Sequence, residues 1–583
     1  MNKQIPSINT IQQAFLLGVQ HHQAGRLVDA EAIYRQILTE EPMHAGSLLY
    51  LGVIAHQVGQ NDAAVDLIRR STAIAPGYAE AYNNLGVVLE AMGLLDEASA
   101  AYRHAIALKP EYADAQSNLR RILRDKGLTD EAMALHDEVR ATRFAKLAPE
   151  PNFLSLHDDL PPELKGLPPT ELANNWPRWV EHLDRQVRAR VWRGEEDTLA
   201  NYLLLGTGYT GEPRITDTYR AGLVQQFGCE QDADNHVKSK ILARSHDLAR
   251  ALGAPDGDER LLTTLEIVNR AGYASRTPEG QVLLAQYLFE NLVRFLNEAR
   301  SFSSEMRPVN SKGLDTTSIA NLYQSRGLST DSSILVDCAL HKGLRHIKNA
   351  GFLKSETVRR AGVIGAGLDF IDKLGGYDLH PPQITQPLLL TDTLLKLKLA
   401  NENDLQIAIL DISTRVFKHV ERAVSEASDG QCYTLNLIHD SALEWSVEAV
   451  HFWETCGDQI VDPSTCQQSS NFNGVFNRSI QVRPEWVTGI DPIDINIVCE
   501  QLPASEDESF DLLVATNVLC YYDPFQQSLA LRNAERILRP GGILLTTEEL
   551  VGARYTNMSL LCDTHVKTSN QSGYTIFCYG RSI

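Results

Sequence analysis

A tight glycine turn and one aspartate in the C-terminal part of the chain are the residues best suited to bind a ligand. Gly365-Ala366-Gly367 follows a short apolar run, a pattern typical of a buried parallel strand that leads into a turn. Glycine has no side chain, so a ligand can approach the backbone closely there. A second apolar run, 405–413, contains Asp411, and a carboxylate at the tip of such a strand can accept hydrogen bonds from both hydroxyls of a ribose. The alternative is that Asp411 caps the helix that follows.

Apolar runs of strand length recur after this turn. The segment 385–400 predicts the crossover helix between the first two strands. Further strands are predicted at 495–503, 509–523 and 536–548. Alternating residues in 573–581 predict a last strand that pairs antiparallel at the sheet edge. We therefore expect an α/β domain with a doubly wound, Rossmann-like parallel sheet and an antiparallel last strand.

Three motifs of this region, in order, resemble those of class I S-adenosylmethionine-dependent methyltransferases. They are the glycine turn, the acidic strand end, and SFDLLVATNVL followed by ILRPGGILL. The segment NVLCYYD at 517–523 also resembles the NVLIYFD stretch of chemoreceptor-type protein glutamate methyltransferases. The resemblance covers residues 359–583. Leu368-Asp369 stands where a third glycine is common, and 44 residues separate Gly367 from Asp411, where about 20 are usual; this spacing predicts an insertion.

The resemblance implies S-adenosylmethionine as the cofactor and gives roles to individual residues. The implied cofactor-binding residues are Gly365, Ala366, Gly367, Asp411, Glu500 and Asn517. The implied catalytic residues, where family members meet the acceptor, are Tyr521, Tyr522 and Asp523. Transfer from a sulfonium requires mainly that the enzyme align the nucleophile and exclude water. The alternative for the last three residues is that the tyrosines pack in the core and the aspartate caps a helix.

In the N-terminal part, small residues and prolines recur at an interval of 34 residues. The four columns are Gly18, Gly52 and Gly86; Gly25, Gly59, Gly93 and Gly127; Ala30, Ala64, Ala98 and Ala132; and Pro42, Pro76 and Pro110. The first glycine and the alanine are small where two helices cross, the second glycine turns the chain, and the proline ends the second helix. Each unit is predicted to be an antiparallel helical hairpin.

These columns, with the stretches PGYAEAYNNLG and PEYADAQSNL, resemble the tetratricopeptide repeat. Repeats 11–44, 45–78 and 79–112 are well formed, and 113–146 departs from the pattern as a capping repeat does. The resemblance implies an all-α solenoid whose concave groove binds a peptide or a partner protein. Candidates for groove contacts are Asn83, Asn84 and Asn118. The alternative is that these asparagines are solvated helix positions.

Composition limits the classes of partner and site. Lys and Arg number 54 against 74 Asp and Glu, and the net charge of −20 repels phosphate backbones and anionic lipids. We therefore expect neither nucleic acid nor membrane as a partner. Nine cysteines without a CxxC pair predict no disulfide framework and no metal site of short spacing. No segment resembles a signal peptide or a membrane span, which favours a cytoplasmic protein.

The predicted organisation has four parts: the repeats (1–146), a proline-rich linker (147–170), a mostly helical middle or cap region (171–358) and the methyltransferase-like domain (359–583). The first hypothesis is a methyltransferase whose repeats recruit a protein or peptide acceptor. The alternative is a repeat scaffold with a degenerate, inactive methyltransferase-like domain. Binding of S-adenosylmethionine distinguishes the two.

Overall fold

The chain divides into two compact units, Met1–Lys146 and Leu147–Ile583, in the computed structural model. The described residues are 11–23, 26–109, 112, 115, 118–119, 122–123, 160–273, 277–312, 328, 333–370, 378–462, 468–472, 474–502, 509–569 and 572–582. The fourth repeat and the linker therefore lie largely outside the described residues. None of the described helices has both the length and the apolar character that crossing a membrane requires.

Helical hairpins form the first unit. Its helices up to residue 108 are α1 (Ile11–Gln23), α2 (Leu27–Glu40), α3 (Ala45–Gln57), α4 (Asn61–Ile74), α5 (Ala79–Ala91) and α6 (Leu95–Leu108). At the crossing of α5 and α6, a Cβ added to Gly86 would lie 2.5 Å from the ring of Tyr102. Ala98, of the alanine column, is fully buried. The predicted repeat solenoid is confirmed, and its small residues are the ones that let each pair of helices approach.

Replacing Gly86 with alanine is expected to lower the stability of the repeats. The added methyl group would overlap the Tyr102 ring, and overpacking of this kind costs about 1–3 kcal/mol. Thermal unfolding followed by circular dichroism measures the effect. Gly77→Ala is the matched control, because a Cβ at Gly77 meets nothing within 4 Å. Equal midpoints for the two variants would contradict the close approach of α5 and α6.

The second unit begins with a helical layer, as predicted for the middle region. Its helices are α7 (Pro169–Leu205), α8 (Asp217–Phe227), α9 (Glu230–Ala251), α10 (Glu259–Arg270) and α11 (Pro278–Lys312). Leu203, Leu248 and Leu288 are buried in the core of this layer, and Phe370, from the segment that follows the glycine turn, belongs to the same core. We call these five helices the cap. Phe370 shows that the cap packs directly against the α/β domain.

A seven-stranded sheet forms the centre of the α/β domain. Its strands are β1 (Arg360–Ile364), β2 (Gln406–Asp411), β6 (Ile490–Asp494), β7 (Phe510–Ala515), β8 (Leu538–Thr546), β9 (Met558–Lys567) and β10 (Gly573–Arg581). The order is β6-β2-β1-β7-β8-β10-β9. The first five strands are parallel, and β10 is antiparallel to both of its neighbours. The predicted doubly wound sheet with an antiparallel last strand is confirmed.

Helices cover this sheet. They are α12 (Ile334–Asn349), α13 (Gln386–Lys396), α14 (Thr414–Ser428), α15 (Val447–Thr455), α16 (Pro484–Thr488) and α17 (Pro524–Ile537). The crossover helix predicted at 385–400 is α13. Helix α12 precedes the start expected for this domain, yet it packs on the last strands: a Cβ at Gly343 would lie 2.9 Å from the Ile576 side chain.

Two features of the α/β domain differ from the sequence prediction. A second sheet, of order β3-β5-β4, is inserted between α14 and β6; its strands are β3 (Tyr433–Asp440), β4 (Gln468–Phe472) and β5 (Val475–Val482). The strand predicted at 495–503 is wrong, because the strand β6 ends at Asp494 and residues 497–499 form a turn. Strand β6 lies at the sheet edge, where proline and aspartate are tolerated, so its apolar pattern is weak.

Candidate functional site

The glycine turn lies at the carboxyl end of β1. Gly365 and Gly367 have φ angles of 65° and 69°, in the left-handed region that favours glycine. The Gly365 N–H donates to the carbonyl of Leu410 at 2.8 Å, which joins the turn to the end of β2. A Cβ at Gly365 would lie 2.6 Å from Val518, on the far side of β1. Ala366 is buried between the two glycines.

Asp411, the last residue of β2, lies directly beside this turn. Its Oδ2 accepts from the Gly367 N–H at 3.3 Å, and its Oδ1 accepts from the N–H groups of Ile412 and Ser413 at 2.7 and 2.8 Å. Burial raises the pKa of Asp411, while these three N–H groups act in the opposite direction. An ionised carboxylate offers about four acceptor positions, so one remains for a ligand. The N-cap residue of α14 is Ser413, not Asp411.

A cavity opens between these two features at the carboxyl edge of the sheet. Its volume is about 60 Å³, which is below the usual range of ligand pockets, so binding of a nucleoside would require the lining to move apart. The lining residues from the sheet and its loops are Ile364, Gly365, Gly367, Leu410, Asp411, Ile412, Ile495, Asn496, Ile497, Asn517, Val518, Tyr521 and Tyr522. Apolar side chains thus surround one carboxylate and two asparagines.

Two further residues complete the lining of the cavity. They are Val191 of α7, in the cap, and Leu328, which follows the cap in the chain. Leu328 is held against α7 by its N–H, which donates to the Arg190 carbonyl at 2.9 Å. A Cβ at Gly194 would lie only 1.7 Å from the Leu328 carbonyl oxygen. The glycine in α7 therefore lets the backbone of Leu328 approach the helix closely.

Glu500 lies behind the cavity wall and is not among its lining residues. Its Oε1 is 3.4 Å from Arg188, and its Oε2 accepts from the Asn496 N–H at 3.3 Å. Arg188 also pairs with Asp184 and with Asp494, the residue that ends β6 beside Asp411. Glu500 therefore holds the turn in which Asn496 lies, and Asn496 lines the cavity.

Asn517, Tyr521 and Tyr522 lie on the segment after β7, and all three line the cavity. Asn517 has a φ angle of 55°. A positive φ angle is uncommon for residues other than glycine, and such conformations are concentrated at functional sites. Tyr522 is buried, and its pKa is raised by burial. Asp523 does not line the cavity. It is the N-cap of α17, in a capping box with Gln526, as in the alternative given for it above.

Several lining residues were not foreseen from the sequence. Val191 comes from the cap and Leu328 follows the cap in the chain, and no local pattern marks either residue. Asn496 was missed because the strand end was placed too far along the chain. Among the described residues, no group of three or more His, Cys, Asp or Glu side chains has the arrangement of a metal site.

Comparison with known families agrees with the two-part organisation. Residues 15–79 and 79–112 match models described as tetratricopeptide repeat. Residues 483–546 match a model described as methyltransferase domain. The chain therefore combines tetratricopeptide repeats with a methyltransferase domain. The second match runs from the start of α16 to the end of β8 and includes Asn517, Tyr521 and Tyr522.

Similar solved structures match only part of this chain. MamA is 28% identical over 22% of this chain and 77% of its own, with a TM-score of 0.21. The O-GlcNAc transferase of Thermobaculum terrenum is 28% identical over 21% of this chain and 23% of its own, with a TM-score of 0.19. The first tetratricopeptide domain of Spaghetti, bound to an HSP90 peptide, is 19% identical over 20% and 93%, with a TM-score of 0.20. A search of curated proteins found no match.

Proposed function

We propose that this protein is an S-adenosylmethionine-dependent methyltransferase whose repeats recruit a protein or peptide acceptor. The observation that carries the proposal is the contact of Gly367 with Asp411 in the lining of a cavity. Other lining residues of that cavity, among them Asn517 and Tyr521, belong to the match with the methyltransferase domain at 483–546. A backbone turn and a carboxylate at adjacent parallel strand ends are the two elements that a nucleoside site needs.

The chemistry of the lining fits the cofactor. Asp411 keeps an acceptor position for a ribose hydroxyl, and Ile412, Ile495 and Ile497 offer apolar contact to a planar base. Gly367 lines the cavity next to Asp411, where backbone can meet the chain that follows the ribose. Asn517 supplies an amide near the end of β7.

S-adenosylmethionine would supply a methyl group already activated by its positive sulfur. The protein's part is to hold the reacting groups in line and to keep water out. Val191 and Leu328 cover the cavity, and the pairs of Arg188 with Asp494 and Glu500 fasten α7 to the sheet. The acceptor would enter beside Tyr521, with Tyr522 in the wall.

The repeats support recruitment of a polypeptide. Asn118 donates to Asn83 at 3.4 Å, so amides of successive first helices lie next to each other. Asn84 donates to the Glu80 carbonyl of its own helix. A neighbouring pair of amides of this kind is suited to hydrogen bonds with a peptide backbone. Asn83→Ala is expected to weaken binding of an acceptor without changing cofactor affinity.

Isothermal titration of the full chain with S-adenosylmethionine tests the cofactor assignment. We expect saturable binding, and competition by S-adenosylhomocysteine. A folded protein that gives no heat at millimolar cofactor would favour the inactive scaffold and reject the proposal.

Gly194→Ala is expected to weaken cofactor binding about tenfold, which corresponds to roughly 1.4 kcal/mol. The methyl group would displace the Leu328 carbonyl and so open the cover of the cavity. Gly222→Ala is the control, because Gly222 is also helical and a Cβ there meets nothing within 4 Å. If both variants bind as the wild type does, Leu328 does not contribute to the site.

A further inference from the structure

We propose that a second cavity, next to the cofactor cavity, binds an oxyanion carried by the acceptor polypeptide on an acidic or a phosphorylated side chain. This inference rests on the proposed function and names a chemical feature of its substrate. The second cavity is lined by Arg190 and Arg193 of α7 and by Gln526 of α17, and we call it the arginine pocket. Neither the sequence motifs nor the family match assigns a role to it.

The size and the lining of the arginine pocket suit an anionic group. Its volume is about 390 Å³, within the usual range of ligand pockets. Its polar side chains are two arginines and two glutamines, Arg190, Arg193, Gln186 and Gln526. None of the described residues that line it is acidic, although the whole chain has a net charge of −20. Because guanidinium groups present forked N–H donors that match a carboxylate or a phosphate, this lining favours an oxyanion.

The arginine pocket and the cofactor cavity are lined by the same two segments of the chain. On α7, Arg190 lines the pocket and its neighbour Val191 lines the cofactor cavity. On the second segment, Tyr521 and Tyr522 line the cofactor cavity, and Gln526 lines the pocket. Arg190 Nη2 donates to the Tyr521 carbonyl at 2.9 Å, which joins the two segments. A polypeptide whose reactive group reaches Tyr521 can therefore place a neighbouring side chain in the pocket.

Two arginines of α7 differ in the charges around them. Arg188 pairs with three carboxylates, as described above, and they raise its pKa although burial opposes them. Burial lowers the pKa of Arg190, and the groups near it, from Tyr522 to Asp523, offset only part of this effect. The Asp523 carboxylate caps α17, where its Oδ1 accepts from the Gln526 N–H at 2.8 Å. A bound oxyanion would supply negative charge that stabilises the charged form of Arg190.

The pocket is open to an acceptor that arrives from solvent. Arg193 is exposed, whereas Arg190 is half-buried. Residues three apart on a helix lie on the same face, so the two guanidinium groups can contact one oxyanion together. The exposed Arg193 would meet the acceptor first, and Arg190 would hold the oxyanion beside the Tyr521 carbonyl.

Peptide binding tests the pocket without turnover. The probes are three fluorescent peptides of one sequence that carry glutamate, phosphoserine or glutamine at a single position, and anisotropy measures their binding to the full chain. We expect an anionic peptide to bind more tightly than the glutamine peptide, and Arg193→Gln to weaken that binding ~10-fold, as loss of a hydrogen bond to a charged group does. Arg185→Gln is the matched control, because Arg185 is an exposed residue of the same helix and is not among the described lining residues.

The peptide that binds more tightly identifies the source of the oxyanion, an acidic side chain for glutamate and a phosphorylated one for phosphoserine. Equal affinities for the three peptides would overturn the inference. An equal loss of binding in Arg193→Gln and Arg185→Gln would overturn it as well, because the effect would then come from net charge and not from the pocket.

Methyl transfer tests the same residue with the natural acceptor. The full chain is incubated with cell extract and S-adenosylmethionine labelled in the methyl group. We expect Arg193→Gln to label protein more slowly than Arg185→Gln at low extract concentration and equally at high concentration, with unchanged affinity for S-adenosylhomocysteine, because the pocket binds the acceptor and takes no part in the chemical step. A defect that persists at high extract concentration would contradict this role. Absence of transferred label with the wild type would reject the proposed function, whereas the peptide affinities decide the oxyanion site by themselves.

Discussion

Gly367→Val should weaken S-adenosylmethionine binding by more than ~100-fold, equivalent to about 2.7 kcal/mol. Two effects act together. The φ angle of 69° at Gly367 is strained for any β-branched residue. Gly367 also lines the cavity, and its N–H donates to Asp411 at 3.3 Å, so a shift of its backbone would disturb the cavity wall. Isothermal titration of the full chain measures the change.

A matched glycine separates the two effects. Gly430 has a φ angle of 82°, but it lies in an exposed turn after α14, where a Cβ meets nothing within 4 Å. Gly430→Val therefore imposes the same kind of backbone strain away from the cavity. We expect it to lower the thermal midpoint and to leave cofactor affinity unchanged. Equal affinities for Gly367→Val and the wild type would show that the cofactor does not use the glycine turn.

The juxtaposition of the glycine turn with Asp411 was predictable from the sequence, because it depends on one rule. Parallel neighbouring strands place their carboxyl ends at the same edge of a sheet, and both runs are apolar enough to be recognised as strands. The repeats were predictable for a different reason. Their columns record close helix crossings, such as that of Gly86 with Tyr102, which only small residues allow.

The position of Glu500 was not predictable, because the strand before it could not be recognised. That strand, β6, lies at the edge of the sheet, where fewer side chains are buried and the hydrophobic pattern is weak. Pro492 and Asp494 lie on the edge strand β6, whereas the apolar run that begins at Ile495 forms a turn over the cavity. Apolar side chains in that turn face the ligand space and not a sheet core. The pattern correctly indicated that these residues are buried, but it predicted a strand where the structure has a turn.

The cap and the second sheet depend on contacts between distant parts of the chain. Val191 of α7 lines the cavity, and the pair of Arg188 with Asp494 joins residues separated by 306 positions. Nothing in the local sequence around either residue marks this arrangement. Functional residues supplied by such long-range packing can be found only after the fold is known.

Asp411→Asn should weaken cofactor binding by 10- to 100-fold, because loss of a hydrogen bond to a charged acceptor costs roughly 1.5–3 kcal/mol. The variant keeps the size of the side chain, so the fold should persist. Its Oδ1 can still accept from Ile412 and Ser413, but its NH₂ group cannot accept from Gly367, so that contact should be lost as well. Asp404→Asn, which changes an exposed residue before β2, is the control.

The affinity should also depend on pH. Burial raises the pKa of Asp411, so this carboxylate takes up a proton at a higher pH than an exposed aspartate does. The cofactor affinity of the wild type should therefore fall as the pH decreases, while that of Asp411→Asn stays level. Titrations at several pH values measure both effects, and a pH profile shared by the two proteins would mean that the carboxylate does not contact the ligand.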